Sequence, residues 1–415
     1  MKNSLAKAAL VTPLRFSRLL TQLLCLLGFA FFNQGSVAKE SITENLTNTE
    51  LAVTSSLAVP QVDAKAWILY EYNSGRWVAG LNGDLVYPPA SITKLMTNYV
   101  VYEALQSGDI TLSDQVTISE KSWRAEGSRM FAKVGSKVEL QHLLKSTVIQ
   151  SGNDAAIALA EHVAGSELAF AQRMNQAAAK LDLQHSRFVN STGLPDTEHT
   201  MSAHDIAKLS AAIIREYPSF YRWYSEKEYT HNDITQYNRN KLLWKDSSVD
   251  GLKTGHTNAA GYCLVGSALR GGERWIAVVL GSTDERTREE AVLTLLNFAY
   301  AAYKPMRLLD QQGGLATAKV YFGEVDEVLL QAENQLDVVV PRGREGDVVV
   351  DLRYSPYYEA PIEVGQAMGS ARLSLDGKPL AEVPIIAMST IKSGGLWKRI
   401  TDSVSLKWRV FRQKR

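Results

Sequence analysis

The sequence predicts an α+β domain, a small all-β domain after it and an amphipathic helix at the C-terminal end. Apolar runs bounded by turn residues lie near residues 66–79 and 263–280, with a long helical stretch between them, which is the pattern of a sheet combined with a helical region. After about Leu308 the helical periodicity gives way to short valine-rich runs. Beyond Gly394 apolar residues recur at helical spacing.

The composition is that of an ordinary globular protein. The 415 residues are 45% hydrophobic and 21% charged, and the formal net charge is +1. A chain of this length is sufficient for roughly two or three domains. Because the charge is balanced, nothing in the composition predicts nucleic acid as a partner.

Residues 1–38 are predicted to be an export signal. A basic start is followed by a mostly apolar run, Leu19–Phe32, and by the small residues Ser36-Val37-Ala38 that a signal peptidase needs. An uncleaved membrane anchor is the alternative, which the short apolar run and the cleavage site disfavour. The mature chain is then expected to begin at Lys39 and to retain Cys263 as its one cysteine, so it can form no intramolecular disulfide.

The folded part is predicted to begin after a polar leader. Residues 39–62 are rich in Ser, Thr, Asn and Glu without periodicity, which indicates a flexible segment. Two apolar runs, Ala66–Glu71 and Arg76–Ala79, then flank the turn residues Asn73-Ser74-Gly75. This arrangement predicts a β-hairpin.

Helices and a second hairpin are expected to complete the first domain. Apolar residues from Ile92 to Leu105 recur at helical spacing after Pro88-Pro89, and the stretch 139–216 alternates helical patterns with loops. Strands return at 263–280, and a helix is predicted over 286–303. Strands at both ends of a helical middle indicate one sheet built from distant segments.

The boundary between the two domains is predicted near residue 308. The first domain is assigned to residues 63–307 and the β-rich domain to residues 308–390. Within the second, valine runs occur at 338–340 and 348–350, and Asp376-Gly377 is a hairpin signal.

Residues 394–415 are predicted to form an amphipathic helix that lies on a membrane surface. The apolar residues on one predicted face are Leu396, Trp397, Ile400, Val404, Trp408 and Phe411, and the basic residues on the other are Lys398, Arg399, Arg409 and Arg412. The segment is too charged and too short to span a bilayer, but its tryptophans suit headgroup depth and its basic residues suit anionic lipid. Packing against the protein itself is the alternative. The expected location is the periplasmic face of the cytoplasmic membrane.

A possible nucleophile lies in the run PPASITKLMT, residues 88–97. Residues three apart share a helix face, so Ser91 and Lys94 can meet at the start of the predicted helix. A serine hydroxyl needs an adjacent base, and a lysine serves as one if burial or nearby positive charge removes its proton. Taken by itself, the pair is better explained by an N-cap serine and a solvated lysine.

Two further tripeptides strengthen the interpretation of Ser91 as a nucleophile. Ser151-Gly152-Asn153 lies in a short break between two predicted helices, where its hydroxyl and amide can project into a cleft. Lys253-Thr254-Gly255 lies just ahead of the strand that contains Cys263, where a cation and a hydroxyl can line a sheet edge and glycine leaves room for a backbone approach. A helix connection and an exposed strand end are the simpler explanations of these two runs.

In this order the three motifs resemble the penicillin-recognising serine enzymes, which are the penicillin-binding proteins and serine β-lactamases. SITK at 91–94, SGN at 151–153, DGLKTGHT at 250–257 and NRNKLLW at 238–244 resemble the low-molecular-mass D-alanyl-D-alanine carboxypeptidases in particular. The resemblance covers nearly the whole mature chain. It implies a penicillin-binding/β-lactamase-like transpeptidase fold, followed by a β-rich domain and a C-terminal amphipathic anchor.

The resemblance implies a catalytic role for three residues. Ser91 would attack the carbonyl between the two terminal D-alanines of a peptidoglycan stem peptide, giving an acyl-enzyme and free D-alanine. Lys94 would be the base that activates Ser91, and Ser151 would relay a proton towards the leaving amine.

The resemblance also implies a set of substrate-binding residues, namely Asn153, Lys253, Thr254, Gly255, His256, Arg239 and Arg288. Asn153 would orient Lys94 and the substrate amide, and the backbone N–H groups of Ser91 and His256 would form the oxyanion hole. Thr254 and an arginine, either Arg239 or Arg288, would bind the free carboxylate of the substrate.

The implied partners are stem peptides ending in D-Ala-D-Ala, β-lactams as covalent inhibitors and the membrane surface, and no metal or cofactor is implied. An endopeptidase that cleaves cross-links or a β-lactamase-like hydrolase could use the same serine machinery. The latter is disfavoured because no Glu-x-x-Leu-Asn run follows Ser151. A non-enzymatic role in cell shape is the remaining alternative, and the intact motifs argue against it.

Overall fold

The computed structural model describes residues 57–309 and 313–413, which divide into two compact units. Among the described residues, the first unit contains those up to Met306 and the segment 337–346, and the second contains 307–336 and those from Asp347 onward. The predicted signal segment 1–38 and the leader up to residue 56 lie outside the described residues. The segment 337–346, which the sequence assigned to the β-rich domain, packs with the first unit, where Val339 lies in the core.

Short strands and helices alternate through the first unit. Its strands are β1 (Ala66–Glu71), β2 (Arg76–Leu81), β3 (Gln115–Thr117), β4 (Lys137–Glu139), β5 (Glu228–His231), β6 (Ile234–Tyr237), β7 (Val249–Thr257), β8 (Gly261–Arg270) and β9 (Glu273–Ser282). Its helices are α1 (Lys94–Ser107), α2 (Glu120–Trp123), α3 (Leu140–Ile149), α4 (Asn153–Ala164), α5 (Glu167–Lys180), α6 (Ala203–Glu216), α7 (Pro218–Tyr221), α8 (Leu242–Lys245) and α9 (Glu285–Ala302).

The central sheet has the strand order β2-β1-β9-β8-β7. Strand β1 pairs antiparallel with both β2 and β9, with Ile68 opposite Val278. The prediction of one sheet built from distant segments is therefore confirmed. Strand β7 lies at the edge of this sheet, which leaves one side of its backbone available to other groups.

Apolar side chains cover both faces of the central sheet. Because successive side chains of a strand point to opposite faces, Ile68 and Leu69 of β1 enter different cores. The core that contains Ile68 also receives α1 and the helices α3 to α6, whereas the core that contains Leu69 receives α9. All six residues of β1 are buried as a result.

The second unit is built mainly from strands. These are β11 (Ala316–Tyr321), β12 (Glu327–Ala332), β14 (Val349–Tyr354), β15 (Tyr357–Glu359), β16 (Ala367–Leu375) and β17 (Lys378–Ala387), in the sheet order β14-β16-β17-β12-β11-β15. Asp376 and Gly377 form the turn between β16 and β17 with positive φ angles of 53° and 75°, as the hairpin signal predicted. Two further strands, β10 (Tyr303–Leu309) and β13 (Leu336–Pro341), pair with each other, and residues 303–306 and 337–341 of them belong to the first unit.

The second unit ends in helix α10 (Leu396–Gln413), which contacts the rest of this unit through polar groups. The backbone N–H of Phe322 donates to the carboxylate of Asp402 at 2.7 Å, and Lys398 forms ion pairs with Asp326 and Asp402. The exposed large apolar side chains of the helix are Leu396, Trp397, Ile400, Val404 and Trp408. Among the described residues, none of the helices combines the length and hydrophobicity needed to span a membrane.

Candidate active site

A cleft of about 450 Å³ in the first unit brings most of the predicted site residues together. Those that line it are Ser91, Ser151, Asn153, Arg239, Thr254, Gly255, His256 and Arg288. Lys94 and Lys253 are buried and hydrogen bonded to Ser91 and Ser151, respectively. A larger cavity of about 720 Å³, lined by residues of α1, α5 and α6, contains none of the predicted site residues.

Ser91 lies in a 3-10 turn, Ala90–Thr93, that leads directly into α1. In a 3-10 turn, residues three apart lie one above the other, and the amine of Lys94 accordingly lies 3.1 Å from Ser91 Oγ. The N-cap residues of the turn and of α1 are Pro89 and Thr93, and neither makes a side-chain capping hydrogen bond. The alternative interpretation of Ser91 as an N-cap is therefore wrong.

The amine of Lys94 is fully buried and has three hydrogen-bond partners. Besides Ser91, it contacts Asn153 Oδ1 at 2.6 Å and the carbonyl oxygen of Thr192 at 2.7 Å. Burial lowers the pKa of Lys94 to about 7, although Asp154 and Glu167 act in the opposite direction. A neutral amine has two N–H donors and one lone pair, so it can donate to Asn153 and Thr192 and accept the proton of Ser91.

A second lysine and serine contact lies beside the first pair. Ser151, at φ +71° in the break between α3 and α4, accepts a hydrogen bond of 2.9 Å from Lys253 Nζ, which also donates to the carbonyl of Thr254 at 3.0 Å. Burial lowers the pKa of Lys253 well below that of a free lysine, and the positive charge of Lys94 lowers it further. The two amines therefore disfavour each other's protonation.

Glycine at position 255 allows edge strand β7 to approach the turn that carries Ser91. A Cβ atom at Gly255 would lie 2.8 Å from the carbonyl oxygen of Pro89 and 3.2 Å from the Cβ of Ala90. Any larger residue would push these two segments apart, so the predicted backbone approach at this glycine is confirmed. The next residue, His256, is exposed, and its ring centroid lies 4.1 Å from that of Tyr262.

Both predicted arginines reach the cleft, from different elements. Arg239 is exposed and donates to Ser128 Oγ at 3.0 Å. Arg288, on α9, is only 4% exposed and donates to the carbonyl oxygen of Gly255 at 3.2 Å, while its buried Nε has no hydrogen-bond partner. Although Glu285 forms an ion pair of 3.2 Å with Arg288, the two guanidinium groups create a positive field suited to a carboxylate. Within the described ranges, no group of three or more His, Cys, Asp or Glu side chains is placed to hold a metal ion.

The loop 190–194 contributes to the site and was missed by the sequence reasoning. Thr192 provides the carbonyl that Lys94 contacts, and Asn190 Oδ1 holds the loop by accepting from the backbone N–H groups of Thr192 and Gly193. A Cβ atom at Gly193 would lie 1.8 Å from the carbonyl oxygen of Ala90, and the φ of Gly193 is +81°. The run NSTGLP at 190–195 carries turn residues, but no local pattern shows that it lies against Ser91.

Two family profiles together match most of the described chain. The profile of the D-alanyl-D-alanine carboxypeptidase family matches residues 53–284. The profile of the C-terminal domain of penicillin-binding protein 5 matches residues 303–393. The first match contains every predicted site residue except Arg288.

Curated relatives and solved structures agree with these two matches. The D-alanyl-D-alanine carboxypeptidase DacC of Escherichia coli (strain K12) is 39% identical over 368 residues, covering 87% of this chain and 92% of its own length. Penicillin-binding protein 5 from Haemophilus influenzae is a similar structure at a TM-score of 0.78 and 36% identity, covering 81% of this chain and all of that one. Penicillin-binding protein D2 from Listeria monocytogenes, solved in its ampicillin-bound form, is 28% identical at a TM-score of 0.55 and covers 59% of this chain and all of its own.

Proposed function

Because the chain belongs to the D-alanyl-D-alanine carboxypeptidase family and is a serine-type enzyme of that kind, we propose that Ser91 is its nucleophile and Lys94 its base. One observation carries this proposal. The amine of Lys94 is fully buried, lies 3.1 Å from Ser91 Oγ and has a pKa of about 7. It is therefore close enough to accept the hydroxyl proton and is substantially unprotonated at neutral pH.

The acylation step follows from this geometry. Ser91 Oγ attacks the carbonyl carbon of the bond between the two terminal D-alanines, and its proton passes to Lys94 Nζ. When the tetrahedral intermediate collapses, the carbon–nitrogen bond breaks, and the proton that Lys94 accepted passes by way of Ser151 to the leaving amine, which returns Lys94 to its neutral form. The hydroxyl of Ser151 lies 2.9 Å from Lys253 Nζ. The products are free D-alanine and an ester on Ser91, and water then hydrolyses this ester and regenerates the serine.

Substrate recognition is assigned to the positive side of the cleft. The substrate's terminal carboxylate is proposed to bind Thr254 and a guanidinium group, either exposed Arg239 or buried Arg288. Asn153 holds Lys94 through its Oδ1 at 2.6 Å and is proposed to orient the substrate amide as well. The backbone N–H groups of Ser91 and His256 are proposed to stabilise the oxyanion.

The test is an acyl adduct on the full chain, purified in detergent and incubated with a penicillin. We expect the intact mass to increase by one penicillin and peptide mapping to place the adduct on Ser91. A parallel assay should show release of one D-alanine from a stem pentapeptide, and a cross-linked muropeptide tests the endopeptidase alternative. A wild-type protein that forms an adduct on another residue, or a Ser91→Ala protein that still releases D-alanine, would refute the proposed nucleophile.

The cellular location is proposed from the two ends of the chain. Residues 1–38 are assigned to export, and α10 is assigned to peripheral binding at the periplasmic face of the cytoplasmic membrane. The support for the second assignment is the exposure of Trp397, 81% accessible, on a helix whose Asp402 and Lys398 contact the β-rich unit. The polar contacts leave the apolar face available to lipid.

A further inference from the structure

His199 is a buried histidine whose ring is fixed in one orientation near the start of α1. It is 2% exposed, and its Nε2 lies 2.7 Å from Thr93 Oγ1. The backbone N–H of Val189 donates to its Nδ1 at 3.2 Å. Because Nδ1 accepts a hydrogen bond, the proton of the neutral ring is on Nε2, which therefore donates to Thr93.

The first connection of His199 to the proposed catalytic pair runs through Thr93. This residue is fully buried and ends the 3-10 turn, two positions after Ser91 and one before Lys94. A displacement of Thr93 therefore moves both the nucleophile and the base. A Cβ atom at Gly193 would lie only 2.6 Å from Thr93 Oγ1, which shows that this hydroxyl is closely enclosed.

The second connection runs through the loop that follows Val189. Asn190 Oδ1 accepts from the backbone N–H of Gly193 at 2.7 Å, and the carbonyl of Thr192 in the same loop contacts Lys94 Nζ at 2.7 Å. His199 thus bonds both to the turn that carries Ser91 and to the residue before the loop that holds Lys94.

We propose that His199 is a positioning residue for acylation: its neutral imidazole ties Thr93 to Val189 and so fixes Ser91 Oγ relative to Lys94 Nζ. The inference rests on the proposed roles of Ser91 and Lys94. His199 is buried and does not line the cleft, so it acts through Thr93 and not on the substrate.

Burial keeps the ring of His199 neutral at the pH of the reaction. Burial and the charge of Lys94 lower the pKa of His199, to about 4, whereas Asp196 and Glu167 act in the opposite direction. The ring of Phe188 packs edge-on against the imidazole at 5.7 Å. A neutral ring adds no positive charge beside the base and retains its lone pair for the N–H of Val189.

Three substitutions at position 199 separate the two hydrogen bonds. In His199→Gln the longer amide can donate to Thr93, in His199→Asn the shorter amide can only accept from Val189, and His199→Leu removes both bonds. Because small displacements of reacting groups slow a reaction strongly, we expect the saturating rate of acylation by a fluorescent penicillin to fall roughly tenfold to 100-fold in the Asn and Leu variants. The Gln variant keeps the bond to Thr93 and loses the bond to Val189, so its rate should lie between that of wild type and that of the Leu variant.

Saturation kinetics distinguish positioning from general stability. The dissociation constant of the initial penicillin complex should remain close to wild type in all three variants, since the cleft residues are unchanged. Thr93→Val should reproduce the defect of His199→Leu, and the double variant should be no slower than either single one. His162→Leu, in the last turn of α4 where His162 contacts Asp114, is the matched control and should acylate at the wild-type rate.

Equal acylation rates for the Gln, Asn and Leu variants would overturn the inference, as would a Thr93→Val protein with the wild-type rate. If the Leu variant does not fold, the comparison of Gln with Asn and the Thr93→Val measurement decide the question. Failure of wild-type protein to form an adduct on Ser91 refutes the proposed nucleophile instead. In contrast, a wild-type protein that is labelled on Ser91, together with position-199 variants that acylate at the wild-type rate, would overturn only the role of His199.

Discussion

The amine of Lys94 lies 3.1 Å from the hydroxyl oxygen of Ser91, and its other two neighbours are acceptors, Asn153 Oδ1 and the carbonyl oxygen of Thr192. Neither acceptor can take a proton from Ser91 or donate one to Lys94. The only proton that the amine can receive within this group is therefore that of the serine hydroxyl. This relationship determines how acylation should depend on pH.

The first prediction is an acid limb in the acylation rate with an apparent pKa of about 7. Burial lowers the pKa of Lys94 to this value, so the amine is protonated below pH 7 and cannot accept the proton of Ser91. The second-order rate constant for a penicillin should therefore rise as pH increases through 7 and level off above it. Stopped-flow fluorescence between pH 5 and 9 measures this limb.

The control for the pH profile is the initial binding of the penicillin, measured separately in Ser91→Ala protein. If penicillin binding does not change between pH 5 and 9, the acid limb belongs to the chemical step of acylation. An acid limb below pH 5, or one near 10, would contradict Lys94 as a buried base with a lowered pKa.

The second prediction concerns the close approach of Gly193 to Ala90. In Gly193→Ala a Cβ atom would lie 1.8 Å from the carbonyl oxygen of Ala90, so the turn that carries Ser91 must move. Gly165→Ala is the matched control, because its φ of +76° is similar and its Cβ would contact nothing within 4 Å. The control should lose about 1–2 kcal/mol of unfolding free energy from backbone strain alone.

Gly193→Ala should lose about 1–3 kcal/mol more than this control, because of overpacking, and its acylation rate should fall at least about tenfold. Denaturant unfolding and penicillin acylation measure the two effects. Equal losses of stability in both variants would show that the loop 190–194 can move aside without displacing the turn that carries Ser91.

The third prediction contrasts two lysines that have opposite effects on stability. Lys253 is buried, and burial lowers its pKa well below that of the unfolded chain, so folding at pH 7 requires either a buried charge or loss of a proton. Lys253→Met removes this cost, so its unfolding free energy should be unchanged or raised, whereas acylation should fall by at least about 100-fold because the bond to Ser151 is lost.

Lys245→Met is the matched control for Lys253→Met. Lys245 forms an ion pair of 2.6 Å with the buried carboxylate of Glu289, and its removal leaves that carboxylate without its cation. This variant should lose about 1–3 kcal/mol of stability and keep wild-type acylation. A Lys253→Met protein that is as unstable as Lys245→Met would mean that Lys253 mainly supports the fold.

Local sequence patterns predicted the features that depend on residues close together in the chain. The contact of Ser91 with Lys94 follows from their spacing of three, and the hairpin turn at Asp376-Gly377 follows from its residue types. The contact between the carbonyl of Thr192 and Lys94 joins residues 98 positions apart. This contact depends on how two distant segments pack against each other, and no local sequence pattern predicts it.

The segment around Val339 illustrates a different limit. Its valine run is typical of a strand, and it does form β13, but its residue types are equally suited to either core. The sequence grouped it with the valine-rich runs that follow, whereas the chain returns there to pack against the first unit. Strand character was therefore predictable, and the choice of partner was not, because apolar burial is non-directional.

The last prediction tests α10 as a membrane-binding surface. Trp397→Ser together with Trp408→Ser removes two exposed aromatic side chains and should reduce binding of the full chain to vesicles that contain anionic lipid by at least about tenfold. Release of D-alanine from a soluble peptide should be unchanged. Lys398→Met is the control for the helix's polar contacts, because it breaks the ion pairs with Asp326 and Asp402 and leaves both tryptophans in place.

The two sets of variants separate lipid binding from packing within the β-rich unit. If the apolar face binds lipid, the tryptophan variant should lose vesicle binding, because both side chains are exposed in the folded protein. If α10 only packs on its own unit, Lys398→Met should be the more damaging change, and the tryptophan variant should sediment with vesicles as wild type does. Weaker binding at high salt in the wild type would indicate a basic contribution in addition to the tryptophans, since salt screens attraction to anionic headgroups.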